Sequence, residues 1–461
     1  MSEFSKYIYI KRNRESQIRR NSILEEFYSD KSRIVFSSSF RRLMQKAQVF
    51  SLETNPSVRN RLTHTLEVAD IGRTLARKIG EKLVSKDLID INEIEIIQTI
   101  VENACLIHDI GNPPFGHFGE EAIKIWFKNN ANKVMAESLG EAVGMTYDDL
   151  LSDFYNYDGN PQGLRIVSML HAETDKYSLN LTYSSLLASL KYPYYYRMKD
   201  PVFKKKIGVF DSEIELYRKI CQETGQEENK RYFLVYLMEL ADDICYCLSD
   251  IADSFEKGII SSRDFKEEYR KICEESGLDP KTILPDGPIT NFSRQISVEM
   301  SKKIIDEATN YYVNNIESFI SGTEKELSDK IELGKYLECL KTFARKFIYT
   351  DSEAQRIEIA GNTIVYELLK HFSMLLKMKR TDFEYFSKKN ENKKGAGFDV
   401  HWRVYNQLSH RMVKAYNYSI STTTKNTEEW LLRAHLITDY ISGLTDASAK
   451  DVYQNFKGIS V

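Results

Sequence analysis

Every proline in this 461-residue chain lies at or before Pro288, so the last 173 residues contain none. Proline breaks a helix because its ring fixes φ and removes an N–H donor. With only 9 prolines and 21 glycines in all, long stretches carry no breaker, and such stretches favour long helices. The apolar spacing agrees. Leu66, Ile71, Leu75 and Ile79, and again Leu234, Leu237, Met238 and Ala241, recur every one to five residues, as on one helix face. Alternating runs are rare, and Tyr7-Ile8-Tyr9-Ile10 is the best strand candidate. The expected class is all-α, with at most a short β-hairpin and no internal repeat.

Breakers cluster at Gly111-Asn112-Pro113-Pro114, at Asp158-Gly159-Asn160-Pro161, and around Tyr192-Pro193 and Asp200-Pro201. The lysine-rich stretch Ser387 to Gly397 reads as a mobile loop. Asp279-Pro280 to Pro288 suggests a division into residues 1–285 and a helical part over 286–461. Lys+Arg is 64 against 67 Asp+Glu, a net charge of -3. That balance excludes a generally basic nucleic-acid coat and an acidic tail protein. Six cysteines without a Cys-x-x-Cys pair predict reduced thiols and no cysteine zinc site. The polar, basic first twenty residues show no secretory signal, and no run is apolar for long enough to span a membrane. The expected location is the cytoplasm.

Three of the eight histidines, His64, His108 and His117, fall within 54 residues. An apolar helical run, Asn103 to Ile107, delivers His108 and Asp109 at its C-terminal end, where Gly111, Pro113 and Pro114 stop it. His64 lies on another helical stretch, and Asp242 follows a third. Imidazole with carboxylate suits a divalent cation such as Mn, Fe, Co, Ni or Zn, with Mg also possible. Asp242, Tyr246 and Asp250 stand at i, i+4 and i+8 and so share one helix face. From the residues alone this is a candidate metal cluster. A lone histidine is more often an ordinary hydrogen-bonded residue, and Asp242-Asp243 reads equally as a solvated patch.

The pattern His64…His108-Asp109…Asp242 resembles the signature of the HD-domain metal-dependent phosphohydrolases. Phe36 to Leu43, Lys46 to Phe50, Arg61-x-x-His64 and HDIGNPPFGHFGE from His108 to Glu120 resemble the bacterial deoxyguanosine triphosphate triphosphohydrolases. So do Asn160-x-Gln162-Gly163-x-Arg165, Lys191-Tyr192-Pro193 and Asp439 to Asp446, which extends the resemblance over nearly the whole chain. It implies an HD-domain helical body over 1–285, and a C-terminal part that completes the nucleotide site and oligomer contacts. The implied reaction converts dGTP, or other dNTPs, to deoxynucleoside and inorganic triphosphate.

The resemblance also implies roles. His64, His108, Asp109 and Asp242 would hold a divalent metal that polarises the α-phosphate. His117, oriented by Glu120, would transfer a proton as acid or base; a histidine capping the next helix is the alternative. Arg61, Lys191 and Lys206 would clamp phosphates, with Asn160 beside them. Tyr246 would pack where a 2′-hydroxyl would otherwise sit, and Asp250 would bind the 3′-hydroxyl. Gln48 and Val49 would lie beside sugar and base, and Glu358 would reach the base. Where many relatives carry an arginine, this chain has His435-Leu436. Family members form ring-like homo-oligomers, with a hexamer favoured, and a nucleotide or single-stranded DNA is a possible effector. Competing readings are an HD phosphohydrolase acting on another nucleotide and a non-catalytic, nucleic-acid-regulated homologue.

Overall fold

Helix is nearly the only regular structure the chain makes. The computed structural model describes residues 3–142, 144–171, 176–198, 206–388 and 397–459, which among them form twenty α-helices and no strand. Ten build the core and the site: α1 (Ile23–Val35), α2 (Arg61–Ser85), α3 (Glu93–Ile107), α4 (Gly116–Leu139), α5 (Gly159–Arg165), α6 (Val235–Glu256), α7 (Glu332–Phe347), α8 (Ser352–Lys377), α9 (Asn426–Ser442) and α10 (Asp446–Lys457). Their starts follow local chemistry. Asn60 and Thr63 form a reciprocal capping box at α2, and Asp158 caps α5 by accepting from the Asn160 N–H. Each satisfies a backbone donor that the first helical turn leaves without a partner.

The centre is α3, buried continuously from Ile97 to Ile107. It packs along α2 and also against α1 and α6, while α6 packs on α2 and α7. The α2–α3 approach depends on Gly72, where an added Cβ would lie 2.6 Å from Cys105 Sγ. This first apolar core runs through the chain from Phe4 to Ala354, and Ala415 joins it from further on. A second is built by α4, α8 and α9, with Trp126, Phe127, Phe372 and Trp430 among its fully buried rings. The segment 279–288 belongs to the first core, which includes Ile283 and Leu284 within it, Ile272 and Cys273 before it, and Ile331 and Leu337 after it.

Tyr7–Ile10 is not a strand. Glu3–Tyr7 makes a 3-10 turn, and the chain then runs extended against the start of the helix Tyr183–Ser189. The Ser184 N–H donates to the Tyr9 carbonyl at 3.1 Å, and the Tyr183 N–H donates to the Lys11 carbonyl at 2.8 Å. Helix-start donors, which have no partner within their own helix, take the place of a second strand. Only two isolated bridges occur among the described residues, Arg12–Thr182 and Ala47–Asn60. Asp200-Pro201, Lys204-Lys205 and most of the lysine-rich stretch from Ser387 to Gly397 lie outside the described residues. All six cysteines are free and buried. No described helix is long and apolar enough to cross a membrane.

Candidate metal centre

Three helices of the first core bring one group of side chains together. Arg61 and His64 lie one turn apart at the start of α2. His108 caps the end of α3, and Asp109 follows it into the turn that ends the helix. Asp242 lies on α6. Ligand atoms of His64, His108 and Asp109 all lie within 4.8 Å of one another. Asp242 Oδ1 is 3.3 Å from His64 Nε2 and 3.5 Å from His108 Nε2, and His108 Nε2 is 3.7 Å from Asp109 Oδ1. Donors bound to one ion at about 2.0–2.2 Å stand roughly 3–3.5 Å apart, so these spacings suit a shared cation.

The orientation of His108 supports the same fit. Its Nδ1 is 2.7 Å from the Cys105 carbonyl, so Nδ1 is the nitrogen that donates there and Nε2 is the one turned to the cluster, where a cation would displace its proton. That Nε2 is buried and has no hydrogen-bond partner. Burial alone would lower the His108 pKa, but the Asp109 and Asp242 charges carry it up to about 9. Burial would likewise raise Asp109, yet the Arg61 guanidinium and His108 bring it down to about 2. Arg61 Nη1 donates to Asp109 Oδ2 at 2.5 Å. The carboxylates are therefore held ionised, as metal ligation requires.

The turn from Ile110 to Phe115 separates this cluster from the next reactive group. Gly111 is the position where only hydrogen fits, because an added Cβ would sit 2.0 Å from the Gly159 carbonyl. Phe115 takes a left-handed φ of 61°, and α4 begins immediately after it. His117 Nδ1 lies 2.8 Å from Glu120 Oε2. The other oxygen, Glu120 Oε1, accepts from the Gly159 N–H at 2.8 Å. Glu120 is thus buried and held from both sides, while the His117 side chain is 83% exposed. The Glu120 hydrogen bond pushes the His117 pKa above its usual value, and Lys206 and Arg61 are near enough to oppose the rise.

The other expected contacts divide. Lys191 Nζ lies 3.6 Å from Glu239 Oε1 and 3.9 Å from Asp242 Oδ2, so it stands beside the cluster. Lys206 donates to Asp158 Oδ2 at 2.8 Å, and Asn160 folds back onto Asp158 Oδ1, so both are engaged at the α5 cap. Gln48 keeps a buried Oε1 without a partner, and Val49 packs on the first core. Glu358 lies partly buried on α8, and burial alone pushes its carboxyl up. No hydrogen bond or ion pair among the described residues joins it to the cluster.

The HD domain family matches residues 61–149 of the chain. Over 477 residues the chain is 32% identical to a deoxyguanosinetriphosphate triphosphohydrolase-like protein of Listeria monocytogenes, covering 99% of this chain and 100% of that protein. Over 485 residues it is 32% identical to the deoxyguanosinetriphosphate triphosphohydrolase of Yersinia pseudotuberculosis, covering 94% of each. The chain belongs to the deoxyguanosinetriphosphate triphosphohydrolase family.

Within this family's HD-domain phosphohydrolase fold, three features escaped the sequence reading. Tyr349 donates to Asp250 Oδ2 at 2.5 Å and lies 2.6 Å from the Tyr246 hydroxyl, so it closes the Asp242–Tyr246–Asp250 face of α6. Its position 99 residues beyond Asp250 left no local signal. His435, at the departure from the usual arginine, is buried against Asp153 and leans on Phe154, which gives it a place in the second core. Lys46 and Asp446 are both buried polar residues, and each bonds to the turn after Asp109.

Proposed function

We propose that the protein is a metal-dependent triphosphohydrolase that converts dGTP, or other dNTPs, to deoxynucleoside and inorganic triphosphate. One observation carries the reading. Asp242, Tyr246 and Asp250 share a face of α6, so the helix that contributes to the metal cluster also presents a phenol and a carboxylate one and two turns away. His64, His108, Asp109 and Asp242 would hold the cation, and Mg, Mn, Fe, Co, Ni or Zn all suit that donor set. When bound, the cation supplies Lewis-acid polarisation of a phosphoryl oxygen.

The protein's own groups do the rest. Lys191 and Arg61 add positive charge beside the cluster, where a triphosphate brings about four negative charges; Lys206 joins them by leaving its contact with Asp158. His117 holds its Nδ1 proton toward Glu120, which leaves Nε2 to accept or deliver a proton at the reacting oxygen. Tyr246 fills the space beside C2′ of the sugar, and Asp250 accepts from the 3′-hydroxyl. Gln48, Val49, Asn160 and Glu358 complete the nucleotide contacts.

Product identity tests this reading. Metal-loaded protein incubated with dGTP should release inorganic triphosphate and deoxyguanosine in equal amounts. Pyrophosphate or orthophosphate as the product would refute it.

A further inference from the structure

We propose that Lys46 and Asp446 are positioning residues: together they hold the turn between Asp109 and His117 in register with the Gln48–Val49 segment and the start of α2. The inference rests on the triphosphohydrolase reading for its activity readout, and on geometry for the rest.

Lys46 is 3% exposed. Its ammonium donates to the Asn112 carbonyl at 2.5 Å and to the Ser442 carbonyl at 2.7 Å. Asn112 is the last residue before the double proline. Ser442 is the last residue of α9, where helix carbonyls lack partners and attract cations. One side chain thus joins the turn after the metal ligands to the end of a helix more than 300 residues away.

Asp446 makes the matching contacts with its carboxylate. Oδ1 accepts from the Phe115 N–H at 3.0 Å, and Oδ2 accepts from the Ala47 N–H at 3.0 Å. Phe115 is the residue with left-handed backbone directly before α4. A residue with a side chain stays in that conformation only where its surroundings hold it. Asp446 supplies one restraint. Gly361 supplies another, because an added Cβ there would lie 2.4 Å from the Phe115 ring.

The remaining contacts lead into the site. The Lys46 carbonyl accepts from the Arg61 N–H at 2.9 Å, which fixes the first residue of α2. Ala47 bridges to Asn60, the α2 cap. Asn112 Nδ2 donates to Asp109 Oδ1 at 2.6 Å. The two buried charges therefore touch the Gln48–Val49 segment, the Arg61–His64 helix start and the Asp109–His117 turn, each within two contacts of a proposed reacting group. Burial depresses the Lys46 ammonium to about 7, with Arg42 adding to the fall and Asp446 opposing it. A buried charge kept at such a cost is best accounted for by the register it sets.

Asp446→Asn keeps the shape of the side chain but offers one acceptor oxygen in place of two. Hydrogen exchange read by mass spectrometry, the melting transition, metal content, and kcat and KM for dGTP are measured on wild type and variant. The expected result is faster exchange confined to peptides covering 46–50 and 109–118, with unchanged metal content. kcat should fall ~10- to 100-fold, the cost of misplacing reacting groups by about 1 Å, while KM moves less than about threefold. Wild-type exchange in both peptides would overturn the proposal, and so would a uniform rise over the whole chain, which marks a purely structural pair. If Asp446→Asn is unfolded at the assay temperature, Lys46→Arg carries the same test, since it keeps the charge and misplaces the donors. Absence of dNTP turnover in wild type would refute the proposed reaction alone, and the exchange measurement would still decide the clamp.

Discussion

Removing the Tyr349 hydroxyl should change the charge state of Asp250 at neutral pH. Asp250 is fully buried. Burial drives its carboxyl up to about 7, the Tyr349 hydrogen bond pulls it back, and the Asp253 and Asp242 charges add to the rise. Its Oδ1 has no partner, so the Tyr349 bond to Oδ2 is its main stabilisation as an anion. A hydrogen bond to a charged group contributes about 1.5–3 kcal/mol, and one pKa unit corresponds to about 1.4 kcal/mol. Tyr349→Phe should therefore raise Asp250 by ~1–2 units and leave it largely protonated at pH 7. A carboxyl that accepts from the sugar 3′-hydroxyl, as proposed for Asp250, makes its stronger hydrogen bond when ionised. The assay is kcat/KM for dGTP between pH 6 and 9. In wild type the rate should climb with pH through about 7, and in Tyr349→Phe that climb should move ~1–2 units alkaline. A limb that stays in place, or one also present in Asp250→Asn, would refute the reasoning. Stability supplies a second check with a fixed sign. The folded pKa lies above the ordinary carboxylate value, so the folded state holds a proton that the unfolded chain has released. Wild-type stability should fall as pH rises from about 4 to about 7, and Asp250→Asn should flatten that slope.

His108→Ala and Asp109→Ala should each lose bound metal and activity together, as read by elemental analysis and turnover; stoichiometric metal with full activity in either would refute the four-ligand assignment. His117→Ala should keep metal and substrate affinity while kcat falls by ~10²–10⁴. Because Glu120 raises the His117 pKa above its usual value, Glu120→Gln should shift the pH limb belonging to His117 to lower pH; an unmoved limb would show that Glu120 does not orient it. The ratio of kcat/KM for dGTP over GTP should be large and should narrow in Tyr246→Ala, since a buried 2′-hydroxyl without a partner costs about 1–3 kcal/mol; equal wild-type values would remove the sugar assignment. Light scattering at micromolar protein should show a homo-oligomer, and a fully active monomer would refute that expectation.

The legible part of the protein is the part written in local pattern. The apolar spacing of Leu66, Ile71, Leu75 and Ile79 is that of a helix, and α2 runs through all four positions. The breakers after His108 end α3 where the histidine and aspartate emerge. Asp242, Tyr246 and Asp250 share a face because eight residues make slightly more than two helical turns. Periodicity failed at Tyr7–Ile10, since an alternating run specifies an extended chain but not its partner. The partner proved to be a helix start, which needs acceptors as much as a strand does.

What the sequence withheld is what depends on contacts between distant residues. Lys46 and Asp446 are 400 positions apart, and each looks like an ordinary charged residue beside an apolar run. Their burial shows only when α9 and α10 close over the Ile110–Phe115 turn. Tyr349 is one of 28 tyrosines and follows an amphipathic helix whose face gives no hint that the phenol continues into the stripe on α6. His435 is the converse case: a departure from the family pattern reads as a change in substrate contact until its ring is found between Phe154 and Phe210, paired with Asp153. In each case the residue type is compatible with both a solvated and a buried position, and the choice is made by a neighbour too far along the chain for spacing to report. The proposed metal ligands carry the same ambiguity, and the family resemblance rather than spacing singled them out: three stand at the ends of α2 and α3, which local signals place, and the fourth lies on α6, which packs directly against those two.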